Sequence, residues 1–230
     1  MNKLLRLALL GGGSLLVAAT AHAHIGVSSN ATPNGAGIAN ATQEVTFVVG
    51  HGCNNTDTTK LVIDIPTGVK NVRPMKSDFG VASTVTDGSG NVTSVTWQKP
   101  DAEALPADTA FYKFVIRMQA PNTPFTKVLF MAHQTCIDGT TEDWILPPGS
   151  DAGSNTGPAL TVLPARKPGW NKFTVSVAIG DMKLFDDAAI VWKGNAAYSG
   201  NTNTQAQIKA EPGVTELTSL AAGDEIWVKY

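Results

Sequence analysis

The sequence predicts an all-β fold: an antiparallel β-sandwich, immunoglobulin- or cupredoxin-like, followed by a small β-rich extension. Three observations carry this expectation. Short apolar runs, many alternating with polar residues at period two, recur between clusters of Gly, Pro, Asn and Asp. The three-and-four apolar spacing that marks a helix is scarce over the same length. Asp87-Gly88-Ser89-Gly90-Asn91 separates two extended segments in the manner of a hairpin loop.

In chain order, residues 24–27 read as a short first strand and residues 30–41, rich in Asn, Pro and Gly, as a loop. Residues 44–50 form a strong strand candidate that runs into His51-Gly52-Cys53. Residues 60–66 form the next strand, 71–75 are extended, and 81–86 and 92–98 flank the hairpin loop. Over 111–119 the alternation sets Phe111, Lys113, Val115 and Arg117 on one face and Tyr112, Phe114, Ile116 and Met118 on the other. Residues 127–136 read as one strand, 141–146 as a short one, 147–158 as a surface loop and 159–163 as the last strand of the sandwich. A shift to Pro, Arg, Lys and Gly over 164–169 marks a boundary. The expected organisation is therefore a leader over 1–23, a sandwich domain over 24–164 and an extension over 165–230. In the extension, 172–179, 188–192 and 225–230 read as strands, 194–205 as polar loop, and 207–210 and 214–217 as short extended pieces.

The leader has the three parts of a secretory signal: a basic start through Lys3 and Arg6, an apolar stretch over 7–19, and Ala21-His22-Ala23 as the cleavage site. That stretch is too short for a membrane span and no later run reaches such a length, so the mature protein is expected in the periplasm without a membrane span. Cleavage after Ala23 leaves His24 first. This creates a chelator that the precursor lacks, because a terminal α-amine and the imidazole Nδ1 of the same residue can hold one metal ion together at neutral pH. The net charge of −2, with no basic patch, gives no footing for nucleic acid. No nucleophile-and-base pattern such as Gly-x-Ser-x-Gly is present, so no catalytic residues are expected.

Of the four histidines, His22 leaves with the leader. His24, His51 and His133 remain as candidate metal ligands. Each has an ordinary alternative: a bare N-terminus, a hydrogen-bonded strand-end histidine, and a satisfied core histidine. Neutral imidazole and amine nitrogens suit Cu(II), and Met75, Met118, Met131 and Met182 are too scattered for a thioether site of the Cu(I) kind. Glu44 is a further candidate carboxylate whose facing the alternation leaves open. The only two cysteines are Cys53 and Cys136. In an exported chain an even count favours a disulfide, worth ~4 kcal/mol by loop closure; the alternative is a His₂Cys₂ thiolate site with His51 and His133.

These words in this order resemble the YcnI-like copper-binding domain of exported bacterial proteins. The resemblance rests on the His directly after the leader, on Val48-Val49-Gly50-His51-Gly52-Cys53, and on Asp57 through Val69 with Lys60-Leu61-Val62-Ile63-Asp64-Ile65-Pro66 at its centre. It continues through Val72-Arg73-Pro74, Phe111-Tyr112-Lys113-Phe114, Gln134-Thr135-Cys136, Asp138-Gly139 and Trp144, covering residues 24 to about 163. It implies a β-sandwich that binds one Cu(II) through its N-terminal histidine, in copper handling outside the cytoplasm. Many relatives carry Glu where this chain has Gly52, and His51 is the natural substitute ligand. Trp144 matches a tryptophan associated with the metal pocket; ordinary core packing is its other reading.

The expected function is thus a non-enzymatic copper(II)-binding protein with an N-terminal histidine brace, acting in periplasmic copper delivery or homeostasis. Its partners would be the copper ion and another copper-handling protein of the periplasm or inner membrane. The alternatives are a copper-dependent oxidative enzyme of the monooxygenase kind and a metal-free structural exported β protein. No role for residues 165–230 follows from their sequence.

Overall fold

A computed structural model describes residues 25–53, 56–104, 111–150 and 155–230. The leader and His24 lie outside the described residues. The strands of the first region, in chain order, are β1 (Gly26–Ser29), β2 (Gly37–Ile38), β3 (Thr42–Val49), β4 (Thr58–Asp64), β5 (Lys70–Pro74), β6 (Ser83–Thr86), β7 (Val92–Gln98), β8 (Tyr112–Gln119), β9 (Thr126–Leu129), β10 (Ala132–Cys136), β11 (Thr141–Trp144) and β12 (Ala159–Leu163).

They form a sheet ordered β1-β3-β8-β5, a second ordered β11-β10-β4-β7-β6, and a small third, β2-β12-β9. The period-two pattern decides what each strand buries. In β8, Tyr112, Phe114, Ile116 and Met118 point inward and Lys113 and Arg117 outward. Phe114 from the first sheet meets Trp97 from the second, ring centroids 5.2 Å apart, in one core that also holds Phe47, Leu61 and Ile63. This is the expected all-β sandwich. The hairpin is as expected too: Asp87 Oδ1 accepts the N–H groups of Ser89 and Asn91, and β6 and β7 pair on either side.

Two expectations need correction. Residues 127–136 are two strands in two sheets: β9 pairs with β12, whereas β10 pairs with β4 and β11. The chain changes ladder at Phe130-Met131 without breaking the alternation, since Val128, Phe130 and Ala132 are all buried and Met131 is not. A period-two reading therefore sees one run. In the extension, residues 207–210 are helical: α1 (Thr202–Ala210) starts within the stretch read as loop and covers the piece read as extended. Only Ile208 of α1 is buried, so no apolar period announces the helix. Its signal was the cap, Asn201, whose side chain accepts from the N–H groups of Asn203 and Thr204.

The rest of the extension is one sheet of β13 (Trp170–Thr174), β14 (Ile190–Lys193), β15 (Ala196–Tyr198), β16 (Thr215–Glu216) and β17 (Glu225–Lys229), ordered β13-β17-β14-β15-β16. Its inner face joins a second core with residues of the first region: Ile38, Phe125 and Leu163 bury beside Phe185, Val191, Ile226 and Val228. Arg166 seals the junction. It pairs with Asp187, donates to the Ala31 carbonyl at 3.2 Å and stacks on the Tyr230 ring at 4.8 Å. Among the described residues no helix is long and apolar enough to cross a membrane.

Candidate metal centre around His51

The candidate site is built at one end of the sandwich, where β3 leaves its sheet. Val49 is the last inward residue of β3, and Gly50, His51, Gly52 and Cys53 follow. Two attachments hold this segment. Cys53 is bonded to Cys136 at the end of β10, with Cα atoms 5.9 Å apart. Both sulfurs are oxidised, which removes the thiolate site that the two cysteines left open. Gln134, 1% exposed, donates from Nε2 to the His51 carbonyl at 2.9 Å and to Thr58 Oγ1 at 2.6 Å. A buried amide bonded in this way fixes the backbone of His51 against β10 and β4.

The ring of His51 is set by its neighbour. Its Nδ1 lies 2.8 Å from the Gly52 carbonyl oxygen. A carbonyl only accepts, so Nδ1 carries a proton and donates, and in the neutral ring the lone pair is on Nε2. That Nε2 is buried and has no hydrogen-bond partner among the described residues. An unpaired buried nitrogen costs roughly 1–3 kcal/mol, so an orphan of this kind calls for an explanation.

The chain reaches the same end of the sandwich from its other side. β1 pairs antiparallel with β3, Gly26 opposite Val48, and the residues just outside that pair, Ile25 and Val49, are both buried. Phe111, 75% exposed, lies against the segment too: a β-carbon on Gly50 would be 3.4 Å from its ring. In the sequence Phe111 is the start of a strand and part of the family resemblance; its exposure, unusual for a residue that normally buries, is visible only in the fold.

Trp144 sits opposite Ala132 in the β10–β11 ladder, on the inner face that Gln134 also occupies. The two are diagonal neighbours, roughly 7–8 Å apart by ladder geometry. Trp144 is 4% exposed and belongs to the main core. It therefore packs beside the residue that holds the His51 carbonyl.

The other two candidates are elsewhere. His133 points to the opposite side of β10. Its Nδ1 donates to Asp143 at 2.7 Å and its Nε2 to Asp64 at 3.3 Å. Partial burial disfavours the charged ring, but these bonds and the charges behind them outweigh it and raise the His133 pKa above the ordinary imidazole value. Both ring nitrogens already face carboxylates, so neither is left unpaired as His51 Nε2 is. Glu44 faces outward from β3, opposite Arg117, and is five residues, roughly 17 Å, up the strand from Val49. Among the described residues no three His, Cys, Asp or Glu side chains gather as a metal site.

Comparison with known proteins identifies a family and a similar fold. The model of a domain of unknown function, DUF1775, matches residues 24–164. The chain is similar to a crystal structure from Nocardia farcinica described as revealing an immunoglobulin-like fold. The two are 22% identical, the match covers 61% of this chain and 98% of that one, and the TM-score is 0.53. A cohesin module from a Clostridium perfringens family 33 glycoside hydrolase is more distant, at 10% identity over 62% of this chain and 99% of that one, with a TM-score of 0.38. No curated protein matches the chain.

Proposed function

Since the chain belongs to the DUF1775 family, a family whose own description assigns no function, we propose from its residues that it binds one Cu(II) ion through His24 and His51. On this reading it is a YcnI-like member, exported by cleavage after Ala23, and it serves copper delivery or homeostasis in the periplasm rather than catalysis. The observation that carries the reading is the buried Nε2 of His51, which has no partner among the described residues.

Three features of the chemistry support it. The tautomer is the one a ligand needs, and the bond from Nδ1–H to the Gly52 carbonyl is the outer-shell contact that orients ligating imidazoles. A neutral imidazole nitrogen is a good donor to Cu(II). Ile25, which follows His24 in the sequence, is buried beside the end of β3 that leads to His51. The described residues hold only part of a ligand set, and the two nitrogens of His24 are what would complete it. The disulfide and Gln134 keep His51 in place whether or not a metal is bound. Trp144, packed beside Gln134, would shield the inner side of the site from water.

The test is calorimetric titration of the mature protein with Cu(II), alongside a form carrying one extra residue before His24. One tight equivalent is expected for the first and a large loss of affinity for the second. Equal affinity in both would overturn the brace.

A further inference from the structure

The chain has five tryptophans, and three of them, Trp170, Trp192 and Trp227, lie in the extension on one face of one sheet. The strands that carry them use their alternate residues for the core: Ile226 and Val228 of β17 and Val191 of β14 are fully buried on the other side. The indoles of Trp170 and Trp227 therefore take no part in that core. Trp227 stands directly opposite Trp192 on one neighbouring strand and opposite Lys172 on the other; Trp170 stands opposite Lys229, which puts it diagonal to Trp227. Trp170 is 51% exposed and Trp227 48%. With Gly194 the three rings line an open concavity of about 550 Å³. Leaving two such side chains half in water forfeits much of what burying them would contribute, so the pair, with Trp192 beside them, suggests a ligand.

We propose that this face binds an acidic polysaccharide, with sugar rings stacked on the indoles and a sugar carboxylate against Lys229. Size argues against a protein partner or a second copy of the chain. Two half-exposed indoles offer roughly 250 Å² of aromatic area, well short of the ~800 Å² per partner of a standard interface. It is an area suited to a few flat rings. The face of a pyranose presents C–H groups of slight positive charge, which meet the negative face of an indole, while its hydroxyls need polar neighbours at the edge. Such a neighbour is present in Lys172, paired with Glu225 at 2.8 Å. This lysine is already neutralised. Lys229 differs. Its Nζ lies 5.9 Å from the Trp170 ring centroid, and no carboxylate pairs with it among the described residues. It leaves the platform with an unbalanced positive charge, which disfavours the organic cations that aromatic cages otherwise take and favours an anionic sugar. The inference is independent of copper.

The probe is the tryptophan fluorescence of the full chain titrated with a polyuronate such as alginate, with a neutral soluble glucan in parallel. The platform predicts saturable quenching by the polyuronate that weakens in high salt. Trp227→Ala is expected to weaken binding by at least about 10-fold while circular dichroism stays native, and Lys229→Gln to weaken the polyuronate specifically. Unchanged binding in Trp227→Ala, or no response to either polymer, overturns the proposal. Equal binding of the neutral glucan overturns the role of Lys229. Self-association of the native chain that Trp227→Ala abolishes, seen by sedimentation, would show the occupant to be a second copy instead.

Discussion

Strand β10 separates two histidine environments that differ in almost every respect. On its inner side Gln134 holds the carbonyl of His51, whose Nδ1 is bound to Gly52 and whose buried Nε2 has no partner among the described residues. On its outer side His133 is half exposed and has a carboxylate on each nitrogen. The first leaves one ring nitrogen without a partner among the described residues; the second has a carboxylate at both. A histidine kept for structure is expected to look like His133. A histidine kept for a ligand is expected to look like His51: tautomer fixed, backbone fastened, one lone pair free.

Four predictions press on this contrast. The largest concerns the fastening. Cys53→Ala with Cys136→Ala opens a loop of sequence separation 83, and loop entropy puts the cost at up to about 4.5 kcal/mol. The urea midpoint should fall accordingly. Affinity for Cu(II) should fall with it, because His51 loses its anchor two residues away. Next is Gln134→Ala, which leaves the His51 carbonyl and Thr58 without their buried donor. A cost of roughly 2–3 kcal/mol is expected by denaturant titration, with weaker Cu(II) binding and no change on the His133 side.

The smallest effect belongs to the outer side and depends on pH. The pKa of His133 is raised in the folded state, so the folded protein holds that proton more tightly than the unfolded chain does. The stabilisation is fully present below the unfolded value of about 6.5 and is lost as pH rises through the folded one. The pair of bonds is partly exposed, so its contribution is under about 1 kcal/mol. The difference in urea midpoint between the native chain and His133→Ala should be larger near pH ~5.5 than near pH ~9. A difference that grows with pH would contradict the double carboxylate contact.

The scaffold was largely legible because alternation reports burial directly. Tyr112, Phe114, Ile116 and Met118 share one face in the sequence and share it in the fold. Legibility ended where contacts are long-range or where no apolar period exists. The alternation through Phe130 and Met131 cannot show that the ladder partner changes there, and the polar surface of α1 hides a helix that only Asn201 announces. The shared core between Leu163 and Val228 joins segments far apart in sequence, so the boundary at 164–169 is a change of sheet within packed neighbours. Of the candidate site, the disulfide was legible. Cys53, Cys136 and His51 were identified as candidates, and the disulfide is present. What separated His51 from His133 was which ring nitrogen stays unpaired. That depends on Gly52, Asp64 and Asp143 in three dimensions, and no spacing encodes it.

The fourth prediction tests the central claim most directly: Cu(II) titration of the mature protein beginning at His24, compared side by side with His51→Ala and His133→Ala. The account predicts one tight site in the native protein, an affinity for His133→Ala within about 2-fold of it, and a loss for His51→Ala beyond the roughly 10–100-fold that removal of an outer-shell partner costs. Retention of full affinity in His51→Ala, or an equal loss in both variants, would contradict it.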